Sequence, residues 1–171
     1  MVVDDSIAAM ATLTGPNYAV SATHGAVAGD TLYLSFTTLD VNAGETLTIT
    51  GPANVQRVVI RVTGGVGAQF DGAVTLSIAD ASLIVASPLG ITVGEAGVFT
   101  VPGDLVLSSA DYVRASSGDR FQAPPIASEE VPDTAPAHLG FLAGTHGTIV
   151  ITDATLSLTG NLRIVGGTVT I

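Results

Sequence analysis

The stretch Leu83–Asp111, LIVASPLGITVGEAGVFTVPGDLVLSSAD, decides the fold of this chain. It consists of short apolar runs that alternate with turns rich in Gly, Pro and Asp. Such runs are too short for a helix or for a long hairpin. A chain that lays down one short strand per face and turns at every corner is typical of a β-solenoid, and this stretch therefore predicts one.

Alternating strands continue the pattern on both sides of that stretch. Leu47–Thr50 alternates apolar residues with Thr. Within Val55–Val62, the residues Val58, Ile60 and Val62 share one face, which we expect to point inward. Because side chains alternate between the two faces of a strand, we expect Arg57 and Arg61 to point outward into solvent. Pairs of apolar residues two positions apart, such as Ile149 and Ile151, resume after residue 148 and continue to Ile171. The sequence therefore predicts an all-β chain wound as a parallel β-helix, with right-handed crossovers because these strongly dominate among parallel connections.

Two segments depart from this pattern. Residues 114–138 are polar and contain several prolines, so we expect an excursion that lies over the surface of the coil, held there by Phe121 and Ile126. Near the start of the chain, Asp4–Ser6 has the residue types of a helix cap and predicts a short helical turn over Ile7–Met10.

Composition excludes several classes of protein. The 171 residues predict a single domain over residues 1–171. The net charge is −10 and the five basic residues are scattered, which argues against binding to nucleic acid or to an anionic membrane. The three histidines lack the spacing of metal ligands, and no calcium-binding nonapeptide repeat is present in the sequence, so we expect no metal and no cofactor.

Acidic residues recur near the predicted corners, at Asp71, Asp80, Asp104 and Asp111. Polysaccharide-cleaving enzymes use pairs of carboxylates, so a carbohydrate-active enzyme has to be weighed. Asp is also a favoured turn residue, and no cluster of Lys, Arg or His stands near these positions in the sequence. We therefore expect neither catalysis nor a small-molecule substrate.

Several stretches in one order resemble a known family. They are Leu32–Phe36, Leu39–Val41, Ala43–Thr46, Arg61–Gly65, Phe70–Gly72, Ala86–Ile91, Val93–Gly94, Leu105–Asp111 and Ile164–Ile171. Together they resemble the N-terminal secretion domain of filamentous-haemagglutinin-like exoproteins, which are the cargo of two-partner secretion in Gram-negative bacteria. The resemblance covers roughly residues 18–171.

The resemblance implies a right-handed parallel β-helix whose N-terminal end is capped by extra antiparallel strands. It implies recognition in the periplasm by the polypeptide-transport-associated domains of a dedicated outer-membrane β-barrel transporter. The domain would then be the folding seed of a large adhesin that reaches the cell surface or the medium. One position departs from the family, whose best-known turn reads Asn-Pro-Asn-Gly where this chain has Ser87–Gly90.

The candidate residues for transporter recognition are the turn residues Ser87, Pro88, Leu89 and Gly90, the arginines Arg57 and Arg61, and the glycines Gly64 and Gly65. Turn geometry and local ion pairs are the alternative explanation for all of them. An adhesive or glycan-binding β-helix is the alternative function. Since the sequence stops at Ile171 within a strand, we expect a longer native polypeptide and self-association of this fragment through its last coil.

Overall fold

The computed structural model describes residues 1–126 and 130–171 of the chain, and in these residues the regular structure is β-strand apart from one short 3-10 turn at Ala22–His24. The strands form three sheets of a coil and one smaller sheet outside it. The predicted all-β class is therefore confirmed.

Sheet A consists of β1 (Val2–Val3), β2 (Ala11–Thr12), β4 (Gly25–Ala28), β5 (Thr31–Thr38), β8 (Arg57–Val62), β11 (Ser82–Ala86), β14 (Leu105–Ser108) and β20 (Leu162–Val165). Sheet B consists of β3 (Asn17–Val20), β7 (Thr46–Ile49), β10 (Ala73–Leu76), β13 (Val98–Val101) and β19 (Thr155–Leu158). Sheet C consists of β6 (Asp40–Val41), β9 (Ala68–Phe70), β12 (Ile91–Val93), β18 (Thr148–Ile151) and β21 (Thr168–Thr170). Sheet D consists of β15 (Tyr112–Ala115), β16 (Arg120–Gln122) and β17 (Pro136–Gly140).

From β5 onward the chain visits sheets A, C and B in turn, and each round is one coil. The first coil is β5–β7, the second β8–β10, the third β11–β13, the fourth β14 with β18 and β19, and the fifth begins with β20 and β21. Equivalent strands of successive coils pair in parallel and in register, as in the column Val58, Leu83, Leu105 and Leu162. This is the stacked architecture of a β-helix. Its right-handed winding stays a prediction.

The core lies inside the coil and is built from the inward rows of the three sheets. Val58, Leu83 and Leu105 are fully buried, and Phe70 and Phe99 meet edge to face with ring centroids 5.1 Å apart. Because alternate residues of each short strand point inward, every coil places a new apolar layer on the previous one, and burial of that layer stabilises the stack.

The N-terminal segment pairs with the edge of sheet A. Strand β5 is long enough for two partners: β4 runs antiparallel to its first half and β1 antiparallel to its second half, and β2 pairs with β1. The antiparallel strands implied by the resemblance are therefore present. The helical turn predicted over Ile7–Met10 is wrong: residues 5–7 form a turn between β1 and β2. Pairing of the backbone with distant β5, including a bond from Asp4 N to Ser35 O, prevails over the local cap signal.

The excursion is sheet D, which the chain inserts between β14 and β18. Its strands span residues 112–140, slightly more than predicted, and residues 127–129 lie outside the described residues. Sheet D packs on the outer face of sheet A and forms a second apolar core, which contains Tyr33, Val59, Ala86, Val113 and Phe121. Phe121 is buried as expected, whereas Ile126 is 54% exposed and does not hold the excursion down.

Candidate recognition site

The three corners of the coil differ in charge. The corner between sheets C and B carries one acidic residue in each complete coil, namely Glu45, Asp71, Glu95 and Asp153. The corner between sheets B and A carries Asp80 and Asp104. At the corner between sheets A and C, by contrast, residues 63–67, 87–90 and 166–167 contain no charged side chain. We call this corner the neutral corner.

Glycines let successive coils approach closely at the neutral corner. Gly90 has φ +109°, a left-handed conformation that L side chains rarely adopt, and a Cβ there would lie 2.5 Å from Thr148 O. A Cβ on Gly147 would overlap the backbone of Leu89 and Gly90. Gly147 N donates to Pro88 O at 2.7 Å, and Ala68 N donates to Gly90 O at 3.1 Å. The neutral corner is therefore one continuous stack of turn backbone.

The turn Ser87–Gly90 ties three coils together. Gly90 N closes the turn on Ser87 O at 2.9 Å, and Ser87 N donates to Ser108 O of the next coil at 2.9 Å. The buried Ser87 Oγ accepts a hydrogen bond from Ala68 N of the preceding coil at 3.2 Å. With its backbone held on both sides, the turn exposes 54% of Leu89 to solvent.

The end of the excursion, residues 141–147, continues the neutral corner into the fourth coil. Asp111 Oδ2 accepts a hydrogen bond from Leu142 N at 2.6 Å and lies 2.8 Å from His146 Nε2. The His146 ring meets the edge of Phe141 with centroids 4.9 Å apart. One carboxylate thus fixes the loop, and the loop leaves Phe141 39% and Leu142 42% exposed. The excursion thus brings one histidine, His146, to Asp111 from 35 residues downstream.

Of the predicted site residues, six lie at the neutral corner: Ser87, Pro88, Leu89, Gly90, Gly64 and Gly65. Gly64 is pressed against Thr37 of the first coil, whereas Gly65 is exposed. Arg57 lies at the opposite end of β8, where its Nη1 pairs with Asp30 Oδ2 at 2.7 Å. That hydrogen bond, followed by the charge of Arg57, holds the pKa of Asp30 below its usual value.

Arg61 does not reach solvent, so the prediction that it points outward into solvent is wrong. It does lie on the outer face of β8, but the excursion covers that face and Arg61 is fully buried. Its guanidinium donates to Ser35 Oγ at 2.8 Å, to Ser6 Oγ at 2.9 Å and to Gln122 O, and it stacks 4.0 Å from the centroid of the Phe121 ring. Alternation along one strand cannot reveal a cover that comes from sixty residues downstream.

The buried Asp4 supplies the negative charge of this cluster through two hydroxyl bridges. Ser35 Oγ donates to Asp4 Oδ2 at 2.6 Å, and Ser6 Oγ donates to Asp4 Oδ1. Burial alone raises the pKa of Asp4, but the hydrogen bonds from Ser35, Ser6 and Thr63 together outweigh burial and lower that pKa. Each bridging hydroxyl accepts from Arg61 and donates to Asp4, so the arginine and the carboxylate are paired through Ser35 and Ser6. We call Arg61, Ser35, Ser6 and Asp4 together the buried latch.

Sequence reasoning missed the apolar side chains of the neutral corner other than Leu89. Val66 is 53% exposed in the second coil, and Phe141 and Leu142 stand in the fourth. The available signal was the pair Phe141-Leu142 within a Gly-rich polar stretch, but only the register of the coils places this pair at the neutral corner. In residues 1–126 and 130–171 no group of three or more His, Cys, Asp or Glu is placed to hold a metal ion. Within the same residues, no helix has the length and apolar character needed to cross a membrane.

The stacked coils, the antiparallel cap and the inserted sheet D define a capped parallel β-solenoid. A family model described as "TPS secretion domain" matches residues 8–171, nearly the whole chain. The chain therefore belongs to the TPS secretion domain family, the secretion modules of two-partner secretion. Comparison with curated proteins and with solved structures returned no match. Membership implies that the domain belongs to an exported protein whose partner is a two-partner secretion transporter.

Proposed function

We propose that this domain is the recognition module of a large haemagglutinin-like adhesin, bound in the periplasm by the polypeptide-transport-associated domains of an outer-membrane β-barrel transporter. The observation that carries the proposal is the match of residues 8–171 to the TPS secretion domain. The protein then reaches the cell surface or the medium. No catalytic step is assigned to any residue.

The neutral corner is the proposed contact surface, with Ser87–Gly90 at its centre. Three coils meet there through backbone hydrogen bonds, so its shape is fixed without any ligand. Positions that are rigid before binding lose little conformational entropy when a partner docks. Arg57 and Arg61 are left out of the contact, because one is paired with Asp30 and the other is buried.

We also propose that the domain seeds the folding of the exported chain. At several corners a side chain of an earlier coil accepts a hydrogen bond from a turn amide of the following coil. Asp104 Oδ1 accepts from Asn161 N at 2.7 Å, and Asp71 Oδ1 accepts from Ala96 N at 3.3 Å. A coil that is already folded therefore offers acceptors for the next one, which supports growth by nearest-neighbour addition.

Co-expression with the transporter encoded beside this protein tests recognition. We expect the wild-type domain to be exported and to bind the purified periplasmic domains of that transporter. Replacing Ser87–Gly90 with another four-residue turn is expected to abolish both, whereas replacing the turn Gly51–Asn54, which lies between sheets B and A, is expected to leave recognition intact.

Absence of binding and export for the wild-type domain contradicts the proposal. Equal loss for both turn replacements, with both variants folded by circular dichroism, argues against the neutral corner as the contact surface. Binding of the domain to glycans or host surfaces without a transporter, combined with no export, would favour the adhesive alternative.

A further inference from the structure

We infer that the transporter contacts this domain through an apolar ridge formed by Val66, Leu89, Phe141 and Leu142, and that the matching surface on the transporter is an apolar strip with basic groups along one side. The inference rests on the proposed function and specifies the chemistry of its contact. The four side chains are 53%, 54%, 39% and 42% exposed, and they come from the second, third and fourth coils.

The backbone beneath the apolar ridge is continuous. Ala68 N bonds to Gly90 O at 3.1 Å, and Gly147 N bonds to Pro88 O at 2.7 Å, so the turns that carry the ridge residues are neighbours in space. Scattered exposed apolar residues need no explanation, but exposed apolar residues gathered at one corner of the coil are a candidate interaction site.

Charge decides which kind of partner fits. Asp111 stands beside the apolar ridge, and its carboxylate is bonded to His146 and to Leu142 N. Across sheet C, whose strands in the second and third coils have three residues each, stands the acidic column that includes Asp71 and Glu95. Three strand residues span about 10 Å. A partner with an apolar strip and with basic groups about 10 Å to one side is therefore complementary to this surface.

Asp111 is the positioning residue of the ridge. Its carboxylate holds both Leu142 N and His146, and His146 in turn contacts the Phe141 ring. Two of the four ridge side chains therefore depend on this one carboxylate for their placement. The excursion thus has a role beyond covering sheet A, because its return loop completes the apolar ridge.

The test measures binding of single variants to the purified periplasmic domains of the cognate transporter. Leu89→Ser, Val66→Ser and Phe141→Ser are each expected to weaken binding about tenfold, as for a central apolar contact. Val27→Ser is the matched control, because Val27 is 40% exposed on β4, away from the neutral corner. Since all four side chains are solvent-exposed, the thermal unfolding of the four variants is expected to match that of the wild type.

Two further variants test the flank and the positioning residue. Removing the acidic flank with Asp71→Asn and Glu95→Gln is expected to slow association and to reduce its salt dependence. Asp111→Asn is expected to weaken binding while speeding hydrogen exchange in residues 141–147. If that loop keeps its exchange rates in Asp111→Asn, the positioning role is overturned.

The outcomes separate the ridge from the proposed function. If the wild type binds and the three ridge variants bind equally well, the apolar ridge is overturned and transporter recognition stands. If the wild type does not bind at all, both fail. A wild-type dimer that Leu89→Ser converts to a monomer, with transporter binding unchanged, would assign the ridge to a second copy of this chain and overturn the inference.

Discussion

Replacing the buried Arg61 by Met is expected to cost far more stability than the same change at Arg57, although both residues point outward from strand β8. Arg57 is 31% exposed and pairs with an Asp30 that is 36% exposed, and such surface pairs contribute less than about 1 kcal/mol. Arg61 is fully buried in the latch and donates to Ser35, Ser6 and Gln122.

The magnitude follows from those contacts. A hydrogen bond that involves a charged group contributes about 1.5–3 kcal/mol net, and a cation over an aromatic ring adds about 0.5–2 kcal/mol. The bonds of one guanidinium are not additive, and Met avoids the desolvation of a buried charge. Removing one side of a buried pair costs about 3–5 kcal/mol, so we expect a loss of about 3 kcal/mol for Arg61→Met against at most about 1 kcal/mol for Arg57→Met.

Urea unfolding followed by circular dichroism gives both free energies of unfolding by linear extrapolation. A double-mutant cycle of Arg61→Met with Asp4→Asn is expected to show a coupling above about 1 kcal/mol, since two hydroxyls bridge the pair. If Arg61→Met destabilises the domain no more than Arg57→Met, the buried contacts of Arg61 do not stabilise the fold; if the cycle shows no coupling, Arg61 and Asp4 are not paired through the hydroxyls.

Three other perturbations have defined outcomes. The pKa of Asp4 is lowered in the folded state, so the stability that Asp4 contributes is present above about pH 4 and is lost as the pH falls through the lowered pKa. When the free energy of unfolding is measured against pH in acid, the curve should therefore be flatter for Asp4→Asn than for the wild type. Among described residues, Tyr33 Oη is buried without a hydrogen-bond partner, and burial raises the pKa of this phenol to about 12. Tyr33→Phe is therefore expected to be neutral or to stabilise the domain by up to about 1 kcal/mol in urea unfolding. Gly147→Ala places a Cβ against the backbone of Leu89. The substitution is expected to lower stability by about 1–3 kcal/mol and to shift the amide signals of Ser87–Gly90. An unchanged melting temperature would contradict the tight stacking of the neutral corner.

Local patterns in the sequence sufficed to predict the coil. Apolar runs such as Ile91–Val93 and Val98–Val101, cut by turns at Gly94–Gly97, match the strands and corners of the structure. Each strand and each corner is signalled by its own residues, so its prediction needs only local information, although the strands then pair between residues as distant as Val58 and Leu83. The excursion was also detectable from its prolines and polarity.

Contacts between distant segments were beyond local reasoning. Val2 and Val3 form a strand because β5 offers them an edge, which no neighbouring residue signals. Arg61 alternates correctly to the outside of β8, yet Phe121 arrives much later in the chain and buries it. The neutral corner likewise depends on register, because only stacking brings Leu89 and the return loop at residues 141–147 to one corner.

Hydrogen exchange on the complex of this domain with the periplasmic domains of its transporter tests most directly whether the neutral corner is the contact surface. We predict that binding slows exchange at residues 63–67, 87–90 and 141–147, while the turns between sheets B and A, at residues 50–56, 77–81 and 102–104, exchange as in the free domain. Protection confined to those turns, with the neutral corner unchanged, would contradict this prediction.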